Sequence, residues 1–154
     1  MNLVIVESPA KGRTIKNILG ANFKGRDSKT NILSSISSTK GDLTIWFNGH
    51  GGKDALWLDS GTPDELKDPN VDLKKTTNAI TYQEFGDALI SKAKKQNMDL
   101  SGDVIILDQC FSYDLGYNLH IYLKSNGVVK MPIFIGSSNL NSYGIGSDKQ
   151  GLFN

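Results

Sequence analysis

Four short apolar runs, each breaking off into a polar loop, constrain this chain more than any other feature. They are Leu3-Val4-Ile5-Val6, Leu43-Thr44-Ile45-Trp46-Phe47, Val104-Ile105-Ile106-Leu107 and Ile133-Phe134-Ile135. Runs this short, rich in β-branched residues and apolar on both faces, read as strands of a parallel sheet covered on both sides. Helical patterns fall between them. Ser8 and Pro9 suit an N-cap and first helical position, Ile15, Ile18 and Leu19 give one apolar face, and Gly20 gives a stop. Thr81-Tyr82-Gln83-Glu84 is a capping-box pattern that opens a second helix with Phe85 and Leu89 inward. Lys92, Lys94 and Lys95 read as its solvated end, in keeping with cations at a helix C-terminus. Leu115, Leu119 and Tyr122 mark a third helix.

The rest reads as connection. Residues 24–42 are expected to be an exposed segment with an edge strand near residues 31–36, residues 55–58 a short return strand, residues 59–79 a surface loop, and residues 136–151 a Gly/Ser/Asn-rich loop. Alternating strands and helices predict an α/β fold, a three-layer α/β/α sandwich with a mainly parallel sheet, in a single domain over residues 1–154. Residues 43–47 and 104–107 are expected to be its central parallel neighbours.

Bulk properties narrow the function classes. The net charge is +1, which implies no global pull toward nucleic acid or membrane. No stretch has the length needed to span a bilayer, and the opening apolar run, followed by Glu7 and Lys11, does not read as a signal peptide. One cysteine excludes an internal disulfide and fits a reducing, cytoplasmic setting. One Cys and two His are too few soft ligands for a zinc site, so no metal or cofactor is expected. His120, mid-helix, reads as structural or surface, and Trp46 and Phe47 as core.

In open parallel sheets, ligands bind beyond the carboxyl ends of the strands. That rule selects Glu7-Ser8, residues 48–52, residues 108–112 and residues 136–138, expected to share one sheet edge. Two of these loops carry His50 and the only cysteine, Cys110. A thiol becomes a useful nucleophile when a base lies near it, and an imidazole can take its proton and later protonate a leaving amine. Gly49, Gly51 and Gly52 let backbone approach a substrate closely. The Gly51 and Cys110 N–H groups are candidate donors to an oxyanion. The plain alternatives are a small buried cysteine and a turn histidine.

The shared context, strand then His-Gly and strand then Asp-x-Cys, resembles the caspase, metacaspase and legumain group of cysteine peptidases over residues 43–153. Gly49-His50-Gly51-Gly52 is similar to the legumain and transamidase His loop, and Asp108-Gln109-Cys110-Phe111-Ser112 to the metacaspase nucleophile loop. Ser137-Ser138, then Ser142-Tyr143, is similar to the loop lining the specificity pocket, and Gly151-Leu152-Phe153 to the Gly-x-Phe that follows it. Ser112 and Tyr113 stand where many relatives have a Gly, and caspase-type domains usually continue beyond the position of Asn154.

The resemblance implies a cysteine endopeptidase that cleaves peptide or protein substrates through a Cys110–His50 dyad and a thioester acyl-enzyme. The residue two before the nucleophile leads into the specificity pocket in that group, and Asp there accompanies cleavage after Arg or Lys. It therefore implies Asp108 as main anchor, Glu7 as a second, and Ser137 and Ser138 as a wall. A carboxylate in a partly desolvated pocket selects a basic side chain. A catalytically inactive caspase-like binding module is the alternative. Separately, residues 3–23, with Glu7-Ser8-Pro9-Ala10-Lys11, Thr14-Ile15-Lys16 and Phe23, resemble the opening of type IA topoisomerases, whose Glu serves a TOPRIM magnesium site. The later Asp-x-Asp that such chemistry needs occurs nowhere in the chain.

Overall fold

The computed structural model describes residues 1–6, 29–58, 70 and 72–138. The helix expected after Ser8, and the Gly151-Leu152-Phe153 motif, lie outside the described residues. In chain order the elements are β1 (Asn2–Val6), α1 (Lys29–Ser38), β2 (Thr44–Asn48), β3 (His50–Gly51), β4 (Ala55–Trp57), β5 (Ala79–Thr81), α2 (Tyr82–Ala93), a 3-10 turn (Lys94–Gln96), β6 (Val104–Asp108), α3 (Ser112–Ser125) and β7 (Ile133–Gly136).

All four apolar runs form strands of one parallel sheet, in the order β1-β2-β6-β7. The two expected central strands are central: Thr44–Asn48 pairs residue for residue with Val104–Asp108, so Asn48 and Asp108 end side by side. A small antiparallel sheet, β3-β4-β5, leaves the main sheet after β2 and returns into α2.

Alternation along the strands sets the core. Leu3, Ile45 and Ile105 align across three strands, as do Ile5, Phe47 and Leu107, and all six are buried. Ile32 and Ile36 of α1, Phe85 and Leu89 of α2, and Leu115, Leu119 and Leu123 of α3 complete the same cluster. The helices thus share one face of the sheet. The strand order advances in one direction, and crossovers of constant hand place the three described helices on the same side. On the other face, Trp46, Ile106 and Ile135 align and are only half-buried. Among the described residues the architecture is a mixed α/β fold of a mainly parallel sheet and three helices.

Three expectations need correction. Residues 31–36 are not an edge strand: they lie in α1, because Ile32 and Ile36, one turn apart, are buried against the sheet and α2. Four Ser and one Thr give this helix little intrinsic propensity, so burial decides its conformation. Lys29 anchors its start on Glu84 of α2 at 2.7 Å. Within the expected loop of residues 59–79, Ala79 already belongs to β5. Lys92 is not solvated but 0% exposed, and its Nζ lies 2.9 Å from both carboxylate oxygens of Asp103. Asp103 also accepts the Leu43 N–H at 2.9 Å, which ties α2 to the amino-terminal ends of β2 and β6.

The expected capping box of α2 is present: the Thr81 side chain accepts from the Glu84 N–H, and the Glu84 carboxylate accepts from the Thr81 N–H at 3.0 Å.

Candidate functional site

The carboxyl ends of β2, β6 and β7 share one sheet edge, and three loops converge there. The loop after β2 is a hairpin. Its first strand holds His50 and Gly51, paired with Trp57 and Leu56 of β4. His50 is exposed, with its ring centroid 6.4 Å from that of Trp57, while Gly51 is buried. Asn118 of α3 donates to the Lys53 carbonyl at 3.1 Å, and the Tyr82 N–H donates to the Asp54 carbonyl at 2.9 Å, so the hairpin tip is held from two helices.

The loop after β6 is a sharp strand-to-helix turn. Asp108 ends the strand, Gln109 and Cys110 follow, Phe111 caps α3 with φ 55°, and the helix starts at Ser112. A left-handed conformation is costly for a bulky residue, about 1–3 kcal/mol, and such outliers concentrate at functional sites. The turn leaves the Cys110 side chain partly exposed, two residues before the first residue of α3.

Hairpin and turn are in direct contact. The Gly51 Cα faces the Gln109 carboxamide so closely that a methyl group at position 51 would overlap it. This is where glycine is required in the His50-Gly51 pair, because any side chain there would force the two loops apart. The Lys53 ammonium also stands 5.7 Å over the Phe111 ring.

The third loop locks onto the same turn. The Ser138 hydroxyl accepts the Ser112 N–H at 2.7 Å and lies 2.8 Å from the Ser112 hydroxyl, which in turn accepts the Ser138 N–H at 2.9 Å. The first amide of α3 is thus capped from the end of β7. The Ser137 hydroxyl donates to the Gln109 carbonyl at 3.4 Å.

Six of the residues singled out from sequence, namely His50, Gly51, Asp108, Cys110, Ser137 and Ser138, therefore lie on loops or strand ends at one edge. Glu7 lies outside the described residues, although Val6 before it pairs in register with Asn48. Asp108 is 2% exposed, and its Oδ2 accepts from Asn48 Nδ2 at 2.6 Å. His120 sits on α3 with its ring 6.4 Å from that of Phe134, away from the three loops.

Two residues of this edge lay within the loops selected from sequence but were given no role of their own. Asn48 is the strand-end partner of Asp108, and the signal was its place at the same distance along β2 as Asp108 along β6. Gln109 is 3% exposed, and neither polar atom of its carboxamide has a hydrogen-bond partner among the described residues. Its signal was a large polar side chain directly after a buried strand. Compared with known proteins, the chain matches no protein-family model, no curated protein and no solved structure.

Proposed function

We propose that the protein is a cysteine endopeptidase with Cys110 as nucleophile and His50 as its proton-transfer partner. The observation that carries this reading is the docking of the His50-Gly51 hairpin on the Cys110 turn, with Gly51 pressed against Gln109. Two strand-end loops from adjacent strands bring the only cysteine, an imidazole and a helix start to one edge, which is the set that nucleophilic acyl transfer requires.

In the proposed reaction, His50 takes the Cys110 thiol proton and the thiolate attacks the scissile carbonyl carbon. The N–H groups of Gly51 and Cys110 are the proposed donors to the oxyanion. The C–N bond breaks as His50 returns the proton to the leaving amine, which leaves a thioester on Cys110. Water, deprotonated by His50, then attacks the thioester and releases the carboxylic acid with the thiol restored.

Cleavage after Arg or Lys is the specificity proposed, with Asp108 as anchor, Ser137 and Ser138 beside it, and Glu7 as a second carboxylate. Asp108 is held by Asn48, so a basic side chain reaches it by displacing that amide. A caspase-like three-layer sandwich belongs to the same proposal. Its second helical layer would cover the half-buried Trp46, Ile106 and Ile135.

The test uses peptides ending in Arg, Lys, Asn or Asp before the scissile bond, on the parent protein and on Cys110→Ala and His50→Ala. Turnover of Arg- or Lys-ended peptides that both variants abolish while keeping the parent's circular dichroism is the expected result. Best cleavage after Asp or Asn refutes the specificity. No turnover, together with a Cys110 alkylation profile matching a free thiol near pH ~8.5, refutes the enzyme and leaves a binding module.

A further inference from the structure

A buried carboxamide normally finds partners for both its donor and its acceptor, and leaving such a group unsatisfied costs free energy. Gln109 departs from this. It is 3% exposed, next to Cys110 and against Gly51, with Nε2 and Oε1 both lacking hydrogen bonds among the described residues. Its backbone is well held, since its carbonyl accepts from Ser137. Asp108 beside it at least accepts from Asn48, whereas the Gln109 side chain makes no hydrogen bond among the described residues. An apolar residue of the same length would fill the space without that penalty.

We infer that Gln109 is a substrate-binding residue: its carboxamide, one donor and one acceptor side by side and covered by Gly51 in the free protein, pairs with a backbone peptide group of the substrate segment when the His50-Gly51 hairpin shifts off the Cys110 turn to admit it. The inference rests on the peptidase reading above. The chemistry is specific. A carboxamide offers a neutral donor–acceptor edge, which matches the N–H and C=O of an extended chain and carries no preference for a charged side chain. Gln109 would thereby bind the main chain, while residues on either side of it attack the bond and select the side chain. Pairing on binding would recover the desolvation already incurred in the empty site. The bond thus gains more than an exposed carboxamide would gain.

The experiment compares the parent with Gln109→Met, which keeps length and shape, and with Gln109→Leu should the first variant not fold. Thermal stability is measured together with the rate at which Cys110 is labelled by iodoacetamide and by peptidyl acyloxymethyl ketones ending in Arg, Lys, Asn or Asp. Expected is a Tm higher by about 2–8 °C, because an unsatisfied buried group is removed. The iodoacetamide rate should be unchanged, and labelling by the best peptidyl reagent should be slower by about 10- to 100-fold, roughly tenfold per hydrogen bond lost. A lower Tm shows that the carboxamide supports the fold and overturns the inference. A peptidyl rate that persists in the variant overturns it too, with the peptidase reading intact. A parent protein that reacts no faster with any peptidyl reagent than its iodoacetamide reactivity predicts refutes the peptidase reading itself, and this inference with it.

Discussion

Replacing Lys92 by Met tests the core in the place where sequence and structure differ most. The ammonium is fully buried, lies 2.9 Å from both oxygens of Asp103, and has Gln96 Oε1 at 3.3 Å as a further acceptor. Met fills the volume of the lysine stem but leaves the Asp103 carboxylate buried with the N–H of Leu43, just before β2, as its remaining hydrogen bond among the described residues. Removing one partner of a buried pair costs about 3–5 kcal/mol, against about 0–1 kcal/mol for an exposed pair. For a chain of this size that lowers Tm by about 6–20 °C, a large part of a total stability of about 5–15 kcal/mol. The double variant Lys92→Met/Asp103→Asn removes both charges and keeps an oxygen for Leu43, so it should recover most of the loss. Urea denaturation of the four proteins gives the coupling, expected at about 2 kcal/mol or more and little altered by salt. The pair lies at the edge of the sheet opposite the three loops, so Cys110 alkylation should not change. A cost below about 1 kcal/mol for Lys92→Met, or additive single effects, would refute the reasoning.

Three further outcomes are expected. Thr81→Ala removes the hydroxyl that caps α2 and should cost about 1 kcal/mol by the same denaturation assay. Ile36→Ala, at a position 1% exposed, should cost about 2–5 kcal/mol if α1 is packed as described, and near-UV circular dichroism should report the loosened core. The Tyr122 hydroxyl donates to Asp87 at 2.7 Å, and this bond, with burial and the carboxylate's charge adding to it, raises the phenol above its ordinary value of 10.0. The stabilisation is therefore complete below pH 10.0 and is lost as pH rises through the folded-state value. Alkaline difference spectroscopy should show one tyrosine titrating late, and Asp87→Asn should return it toward the others.

A good part of the fold was legible along the chain because its signals are local. Four apolar β-branched runs needed no distant partner to be read as strands, and the capping box at Thr81 announced α2 four residues ahead of its first buried aromatic, Phe85. The rule that ligands gather at carboxyl ends of parallel strands then selected His50, Cys110, Ser137 and Ser138 before any geometry was known. What the chain could not announce depends on burial that only packing creates. A segment rich in Ser and Thr became α1 because the sheet and α2 bury Ile32 and Ile36. A lysine with the local signature of a solvated helix end was drawn inside because Asp103, distant on the sheet edge, was there to neutralise it. The contact between Gly51 and Gln109 belongs to the same class. It exists because two strands far apart in sequence lie in register, and that pairing, not either loop alone, left a buried carboxamide facing the hairpin without a partner.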